Sequence, residues 1–372
     1  MTSCFQPALI AAICSFAQAA VEATPAGFRQ DPCFDHFALG LERGRDTIDL
    51  LAAPWDEDGV MNLRAHALEA AGESEATLER IFKQHYQEVP LTKSEGGDYF
   101  VKVSINHKER WMCLDSGADG ILLDRKIAEE DGIELTEAGN AKGADGSSKP
   151  SYRGTVEALS VGEIEFLSAP LTFLDLSGFS SLELPDGTKH PSADQLGLAY
   201  VAALPIAVDL PKSRILVAKN NIEGGLAGLR SQTGDLTAPM VEDDKRRHYL
   251  VTETMGKKAL YLVDLGSRSC ILFEQAAKDL ELETRDLEGT INTLGNRSIR
   301  RKGATLSSLK LGDHLLPHSL DVVVFPDTET EEVDGVPVIG IMGCMFFEHF
   351  RSTIDFHTNQ ITLPAAVIAG NP

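Results

Sequence analysis

The sequence has no excess of positive charge: 34 Lys and Arg stand against 56 Asp and Glu, a formal net charge of −22. Nucleic acids and anionic membrane surfaces are held through a basic footprint, so neither is expected as a main partner. A membrane-spanning apolar run is also missing. Ala8 to Phe16 is too short to cross a bilayer and no other stretch reaches that length, so stable membrane insertion is not expected. Ala17-Gln18-Ala19 follows that run with the small-x-small pattern cut by signal peptidase, although Met1 to Pro7 carries no Lys or Arg. Residues 1–19 are read as a signal peptide and the mature chain as periplasmic or secreted. The competing reading is a buried N-terminal helix.

Other absences narrow the chemistry. Cys4, Cys14, Cys33, Cys113, Cys270 and Cys344 form no CxxC pair, which removes zinc knuckles and redox motifs and indicates no disulfide framework. There is no HExxH motif. His314 and His318 lie four apart and His349 and His357 flank the last strand, but none stands with Cys or carboxylates at ligand spacing. No metal and no cofactor is expected. Gly178-Phe179-Ser180-Ser181-Leu182 lacks the second glycine of a nucleophile elbow, and no phosphate-binding or dinucleotide glycine pattern occurs. With 43% hydrophobic and 24% charged residues, the 372-residue chain reads as globular and long enough for two domains.

What is present is a repeat. Trp111-Met112-Cys113-Leu114, an apolar run of strand type, ends in Asp115-Ser116-Gly117-Ala118. Adding 149 to each number gives Leu260-Tyr261-Leu262-Val263 and then Asp264-Leu265-Gly266-Ser267. At the same offset Ile121-Leu122-Leu123 matches Cys270-Ile271-Leu272, and a helix-like stretch follows each, Lys126 to Asp131 and Gln275 to Leu280. Upstream, Tyr99 to Ile105 turns at Asn106-His107 and Tyr249 to Thr252 turns near Gly256-Lys257, the alternation and turn chemistry of hairpins. Leu159-Ser160-Val161-Gly162 matches Leu309-Lys310-Leu311-Gly312 at an offset of 150. Gln195-Leu196-Gly197 matches Ile341-Met342-Gly343 at 146, and the same offset relates Asp209 to Asp355 and Ile215 to Ile361. This ordered series is an internal duplication.

Both copies are runs of short strands separated by turn signals, with one brief helix each, which predicts a mainly β fold of sandwich or barrel type. The first lobe is placed at 96–220 and the second at 244–364, with a tail at 365–372. Gly224-Gly225, Gly228 and Gly234 mark a linker at 221–243. Residues 20–95 belong to neither copy. There Leu78, Ile81, Phe82, His85 and Tyr86 fall at helical spacing and predict an amphipathic helix, either an appendage or a pro-region over a cleft.

The repeated Asp loop has a chemical logic. Glycine lets the backbone turn tightly after a buried strand, which leaves the carboxylate at the loop tip. Two such loops related by a pseudo-dyad would bring Asp115 and Asp264 face to face. Neighbouring carboxylates cannot both ionise easily, so one proton is shared. Such a pair can deprotonate a water while protonating a carbonyl oxygen. The plainer reading makes each Asp a turn cap.

Asp115-Ser116-Gly117-Ala118-Asp119 is close to the retroviral Asp-Thr-Gly-Ala-Asp motif, and each repeat resembles one retropepsin-type unit. The tandem, over residues 97 to 364, is similar to bilobal, pepsin-like aspartic peptidases of the kind predicted in bacteria. The resemblance implies two homologous β-barrel lobes and a peptide or protein substrate. Asp115 and Asp264 would be catalytic, supported by Ser116, Gly117, Ala118, Leu265, Gly266 and Ser267. Because both lobes lie in one chain, a monomer suffices. Ile341-Met342-Gly343 and Leu196-Gly197 resemble the apolar-Gly element behind the catalytic loop, with Gln195 where an apolar residue is expected. Leu265 replaces the Ser or Thr whose hydroxyl, in the family, bonds across to the partner loop; Ser116 is expected to keep its half of that brace. Asp119, which corresponds to Arg268 in the second copy, would help bind the substrate backbone, and Gly146 with Tyr152 marks a candidate flap. The alternative implied by Leu265 is a pseudoenzyme that retains a peptide-binding cleft without hydrolysis.

Overall fold

The computed structural model describes residues 83–364 apart from 95, 119, 143–147, 177–181, 184–186, 188, 191–193, 198–203, 220–234, 293–297 and 327–330. The expected signal peptide, most of the 20–95 segment and the tail lie outside these residues.

The first copy begins one strand earlier than the repeat suggested, with β1 (Tyr86–Lys93) ahead of β2 (Tyr99–Ile105) and β3 (Lys108–Asp115). Next come β4 (Leu122–Asp124), helix α1 (Arg125–Asp131), β5 (Thr136–Lys142), β6 (Ser148–Val161) and β7 (Ile164–Leu174). Two short strands, β8 (Leu182–Glu183) and β9 (Lys189–His190), precede β10 (Gln195–Gly197), β11 (Ile206–Asp209) and β12 (Arg214–Ala218). The second copy opens with β13 (Leu236–Glu242), β14 (His248–Thr254), β15 (Lys257–Val263), β16 (Ile271–Phe273) and helix α2 (Glu274–Asp279). It continues through β17 (Arg285–Asn292), β18 (Ser298–Leu306), β19 (Leu309–Leu311), β20 (His314–Leu315) and β21 (Leu320–Phe325). It closes with β22 (Glu332–Val333), β23 (Val336–Met342), helix α3 (Cys344–His349), β24 (Thr353–Asp355) and β25 (Gln360–Leu363).

Period-two burial builds each lobe. In β2, Val101, Val103 and Ile105 are buried while Lys102 faces solvent, so one face of the hairpin packs inward and the other meets water. Met112 and Leu114 of β3 join them in the core, as Tyr261 and Val263 of β15 do in the second lobe. The strand registers repeat with the sequence offsets. β10 pairs parallel with β3, Gln195 opposite Cys113, and β23 pairs parallel with β15, Ile341 opposite Leu262. Gln195 also meets Leu122, as Ile341 meets Ile271. The two lobes are thus one mainly β barrel unit built twice.

A six-stranded antiparallel sheet, in the order β1-β12-β11-β24-β25-β13, joins the lobes. At its centre Val208 of β11 pairs with Ile354 of β24, residues 146 apart and therefore equivalents. The pseudo-two-fold axis passes between them. Both side chains are fully buried.

Two expectations change here. Helical spacing was read through Tyr86, but the described helix covers only 83–85 and Tyr86 starts a strand. Pro90 lacks an N–H and biases Val89 toward extended backbone. β1 then satisfies its polar groups by pairing first with β12 and then with β2. The linker expected at 221–243 is likewise strand from Leu236 onward, because β13 pairs with β25 and then β14. Tertiary pairing overrides the local pattern in both places.

Candidate active site

Each catalytic-type loop follows a buried strand and crosses over a glycine that leaves it room. A Cβ on Gly197 would stand 2.1 Å from the carbonyl oxygen of Gly120 and 2.8 Å from that of Ala118. A Cβ on Gly343 would stand 2.4 Å from the oxygen of Ser269 and 2.5 Å from that of Ser267. Contacts this short with backbone exclude any side chain, which accounts for the glycine in both apolar-Gly elements.

The two loops meet at the lobe interface. A Cβ on Gly117 would fall 2.7 Å from the carboxyl carbon of Asp264, and one on Gly266 would fall 2.4 Å from that of Asp115. Each carboxyl group therefore lies against the bare backbone of the other lobe's loop, and the two carboxyls are near enough that each shifts the other's proton affinity. Asp115 Oδ1 accepts the amides of Gly117 and Ala118, both at 3.0 Å. Asp264 Oδ1 accepts the amide of Gly266 at 2.9 Å, and Ser267 N–H donates to the Asp264 carbonyl at 3.2 Å. The Ser267 hydroxyl donates to the Ser269 carbonyl at 2.9 Å and steadies the far side of the loop.

The cross-brace is one-sided. Ser116 Oγ accepts the amide of Leu265 at 2.9 Å and donates to the carbonyl of Val263 at 2.7 Å. It therefore bridges from the first lobe to both sides of Asp264. Leu265, by contrast, is buried in the hydrophobic core. The carbonyl of Leu114, which mirrors that of Val263, gets no hydroxyl from the side chain at position 265; the Sγ–H of Cys113 lies 3.9 Å from it, a weak contact.

Burial is the first cause that raises the proton affinity of both aspartates above the ordinary carboxylate range. At Asp115 the charge of Asp264 and the bond between the carboxyls add to it, against the amides of Gly117 and Ala118. At Asp264 the bond to Asp115 and the amides of Gly266, Ser267 and Gly117 oppose the effect of burial. Two carboxyls in contact, both desolvated, cannot easily ionise together.

Among the remaining expected residues, Asp119 and Gly146 lie outside the described residues. Tyr152 sits on β6 opposite Glu137 and Phe173. Its ring packs on the core and carries the Arg125 guanidinium at 4.7 Å. It is part of the wall beneath the β5–β6 hairpin. Cys113, Cys270 and Cys344 are free and buried. Burial pushes the Cys270 thiol up to about 11 and the other two well up also, which makes them poor nucleophiles. Among the described residues no group of three or more His, Cys, Asp or Glu could hold a metal ion, and no helix is long and apolar enough to cross a membrane.

Sequence reasoning missed the contacts that β1 and the turn after it make with the second lobe. Lys93 forms an ion pair with Glu348 of α3 at 2.6 Å, the same carboxylate raises the proton affinity of the nearby Tyr99 hydroxyl, and the Arg268 side chain lies against Gly97. Lys93 and Gly97 were assigned to, or bordered, a segment outside the repeat, so no matching partner drew attention to them.

Two barrel lobes that each place one Asp-containing loop against the other define the class of bilobal aspartic-protease folds. The family described as aspartyl protease matches twice, at residues 101–194 and 252–346, which together make up half of the chain. The chain belongs to that family. A solved structure, the crystal structure of aspartic proteinase from Irpex lacteus, is similar over 77% of this chain and 99% of its own. The identity is 14% and the TM-score 0.45. No curated protein matches the chain.

Proposed function

We propose that the protein is an aspartic endopeptidase in which Asp115 and Asp264 together activate a water for attack on a peptide carbonyl. The supporting observation is the reciprocal contact, each carboxyl against the other lobe's glycine. In the singly ionised pair the carboxylate takes a proton from water as its oxygen bonds to the carbonyl carbon, and the carboxylic acid protonates the carbonyl oxygen. The tetrahedral diol then collapses, the C–N bond breaks, and the amine leaves with a proton from the pair. No covalent intermediate forms. The substrate would be an extended peptide between the lobes, and one chain suffices. Residues 1–19 act as an export signal in this reading, which places the enzyme in the periplasm or outside the cell.

A second reading has a specific observation behind it. Leu265 removes half of the cross-brace, and a protein with a loosened dyad would bind peptides without cleaving them. Cleavage of a denatured protein mixture from acid to neutral pH separates the two. The peptidase reading expects fragments whose formation falls by about 10³-fold or more in Asp115→Asn and in Asp264→Asn, and stops with a transition-state-mimicking aspartic inhibitor. Binding of peptides by a folded protein with no cleavage at any pH would establish the pseudoenzyme.

A further inference from the structure

We propose that Lys93, Tyr99 and Glu348 form a cross-lobe clamp that positions the second catalytic loop and stands in for the hydroxyl that Leu265 lacks. The inference rests on the peptidase reading for its kinetic consequence and on geometry alone for the clamp itself.

The second loop sends no hydroxyl of its own across to the first lobe, and the side-chain brace between the loops comes from Ser116. Immediately behind it runs α3, and the two are joined by backbone: Cys344 N–H donates to the Ser267 carbonyl at 2.8 Å and Met345 N–H to the Arg268 carbonyl at 3.0 Å. The Cys344 thiol adds a contact to the Leu265 carbonyl at 3.1 Å. Whatever fixes α3 relative to the first lobe therefore fixes this loop.

Glu348, in the last turn of α3, is that fixing point. Its carboxylate forms an ion pair with the ammonium of Lys93 at 2.6 Å and lies near enough to the Tyr99 hydroxyl to raise its proton affinity; Lys93 and Tyr99 come from β1 and β2 of the first lobe. Lys93 also lies 5.5 Å from the centre of the Tyr99 ring, so the three groups hold one another. Tyr99 is buried and belongs to the core, which gives the clamp a rigid base on its first-lobe side. The side chains of Lys93 and Glu348 are 41% and 27% exposed; water weakens such a pair taken alone, and the buried tyrosine sets its direction. A second contact runs parallel to it. The Arg268 side chain, in the loop itself, lies over Gly97 in the β1–β2 turn, close enough that a Cβ there would meet Nε at 2.8 Å. Gly97 has φ of +95°, so glycine supplies both the turn and the space for the arginine.

These are positioning residues, placed behind the loop at α3 and not at the dyad. Glu348→Gln and Tyr99→Phe each keep shape while removing the charge or the hydroxyl. Steady-state cleavage, combined with hydrogen exchange of single amides, tests the clamp. The Leu265 amide reports on the lobe-to-lobe bond because its acceptor is Ser116. The Gly266 amide bonds within its own loop and serves as the internal reference. The expected result is a kcat about tenfold lower with KM within about twofold, and exchange at Leu265 faster by a similar factor with Gly266 little changed. Adding Leu265→Thr to Glu348→Gln is expected to recover most of the lost kcat. Lys102→Met, which breaks the exposed Lys102–Glu109 pair, should leave both readouts alone. Unchanged exchange at Leu265 in both variants would overturn the proposal, as would equal acceleration at Leu265 and Gly266. Should the parent protein cleave nothing, the peptidase reading fails while the exchange result still decides the clamp.

Discussion

The two Asp-containing loops are copies of one sequence unit, and they are held in different ways. The first loop reaches outward: Ser116 sends its hydroxyl across the interface and ties down the amide after Asp264 and the carbonyl before it. At the equivalent position of the second loop, Leu265 carries no hydroxyl and is buried in the hydrophobic core. One loop therefore supplies polar bonds across the interface and the other supplies apolar packing. Duplication allows this division, because a pair of positions once bound by symmetry can specialise when each has its own codon. A homodimer could not substitute one hydroxyl and keep the other.

The strongest way to break the symmetric part of this arrangement is to fill the space between the loops. Gly266→Ala places a methyl on the Asp115 carboxyl, which must move away from Asp264. Cleavage is expected to fall by at least about a hundredfold with little loss of melting temperature, since the displaced group is a side-chain tip. Gly117→Ala should act the same way on Asp264, and kinetics beside thermal unfolding check both.

Ser116→Ala breaks the asymmetric part. It strips partners from a buried amide and a buried carbonyl, at a cost of about 1–3 kcal/mol for each group left unpaired. Denaturant unfolding should show that loss, and kcat should drop by about tenfold as the loops separate. Leu265→Thr sharpens the comparison in the other direction. A hydroxyl there can donate to the Leu114 carbonyl, so kcat should rise severalfold while lost packing costs about 2 kcal/mol of stability.

The smallest effects are in the pH dependence of stability, where the dyad and His248 have opposite signs. Burial, with the nearby Arg246 charge, lowers His248 from 6.5 to about 4. Its Nε2 is buried without a hydrogen-bond partner. The unfolded chain therefore takes up the proton first, and stability present above 6.5 is lost as pH falls toward 4. The dyad has its affinity raised, so the folded state holds the proton more tightly. Its contribution is present at acid pH and is lost as pH rises through the raised range. Asp115→Asn should be inactive yet more stable than the parent at neutral pH, and His248→Gln should flatten the acid limb. Unfolding curves collected across pH check both signs.

Most of the fold was legible because a duplication tests itself. The offsets that align Asp115 with Asp264 and Gly197 with Gly343 in sequence reappear as strand registers, down to Gln195 and Ile341 each lying opposite the strand that ends at its aspartate. Ser116 was legible as a brace through the family resemblance, in which the residue after the aspartate sends its hydroxyl across to the partner loop. β1 was not, since apolar spacing through Tyr86 suits a helix and its true partners lie far along the chain in β12. Pro90 was the available signal against helix. The contact of Lys93 and Tyr99 with Glu348 had no signature at all, because charge pairs between distant elements leave no period or motif.

The account stands or falls on whether Asp115 and Asp264 share a proton across the lobe interface. Titrating both carboxyl carbons by carbon-13 NMR from acid to neutral pH measures this directly. The account predicts two well-separated steps, each seen at both residues, with the upper step far above the ordinary carboxylate range. In either Asn variant those two steps should become one. Two independent titrations near ordinary carboxylate values, unaffected by substitution of the other aspartate, would contradict it.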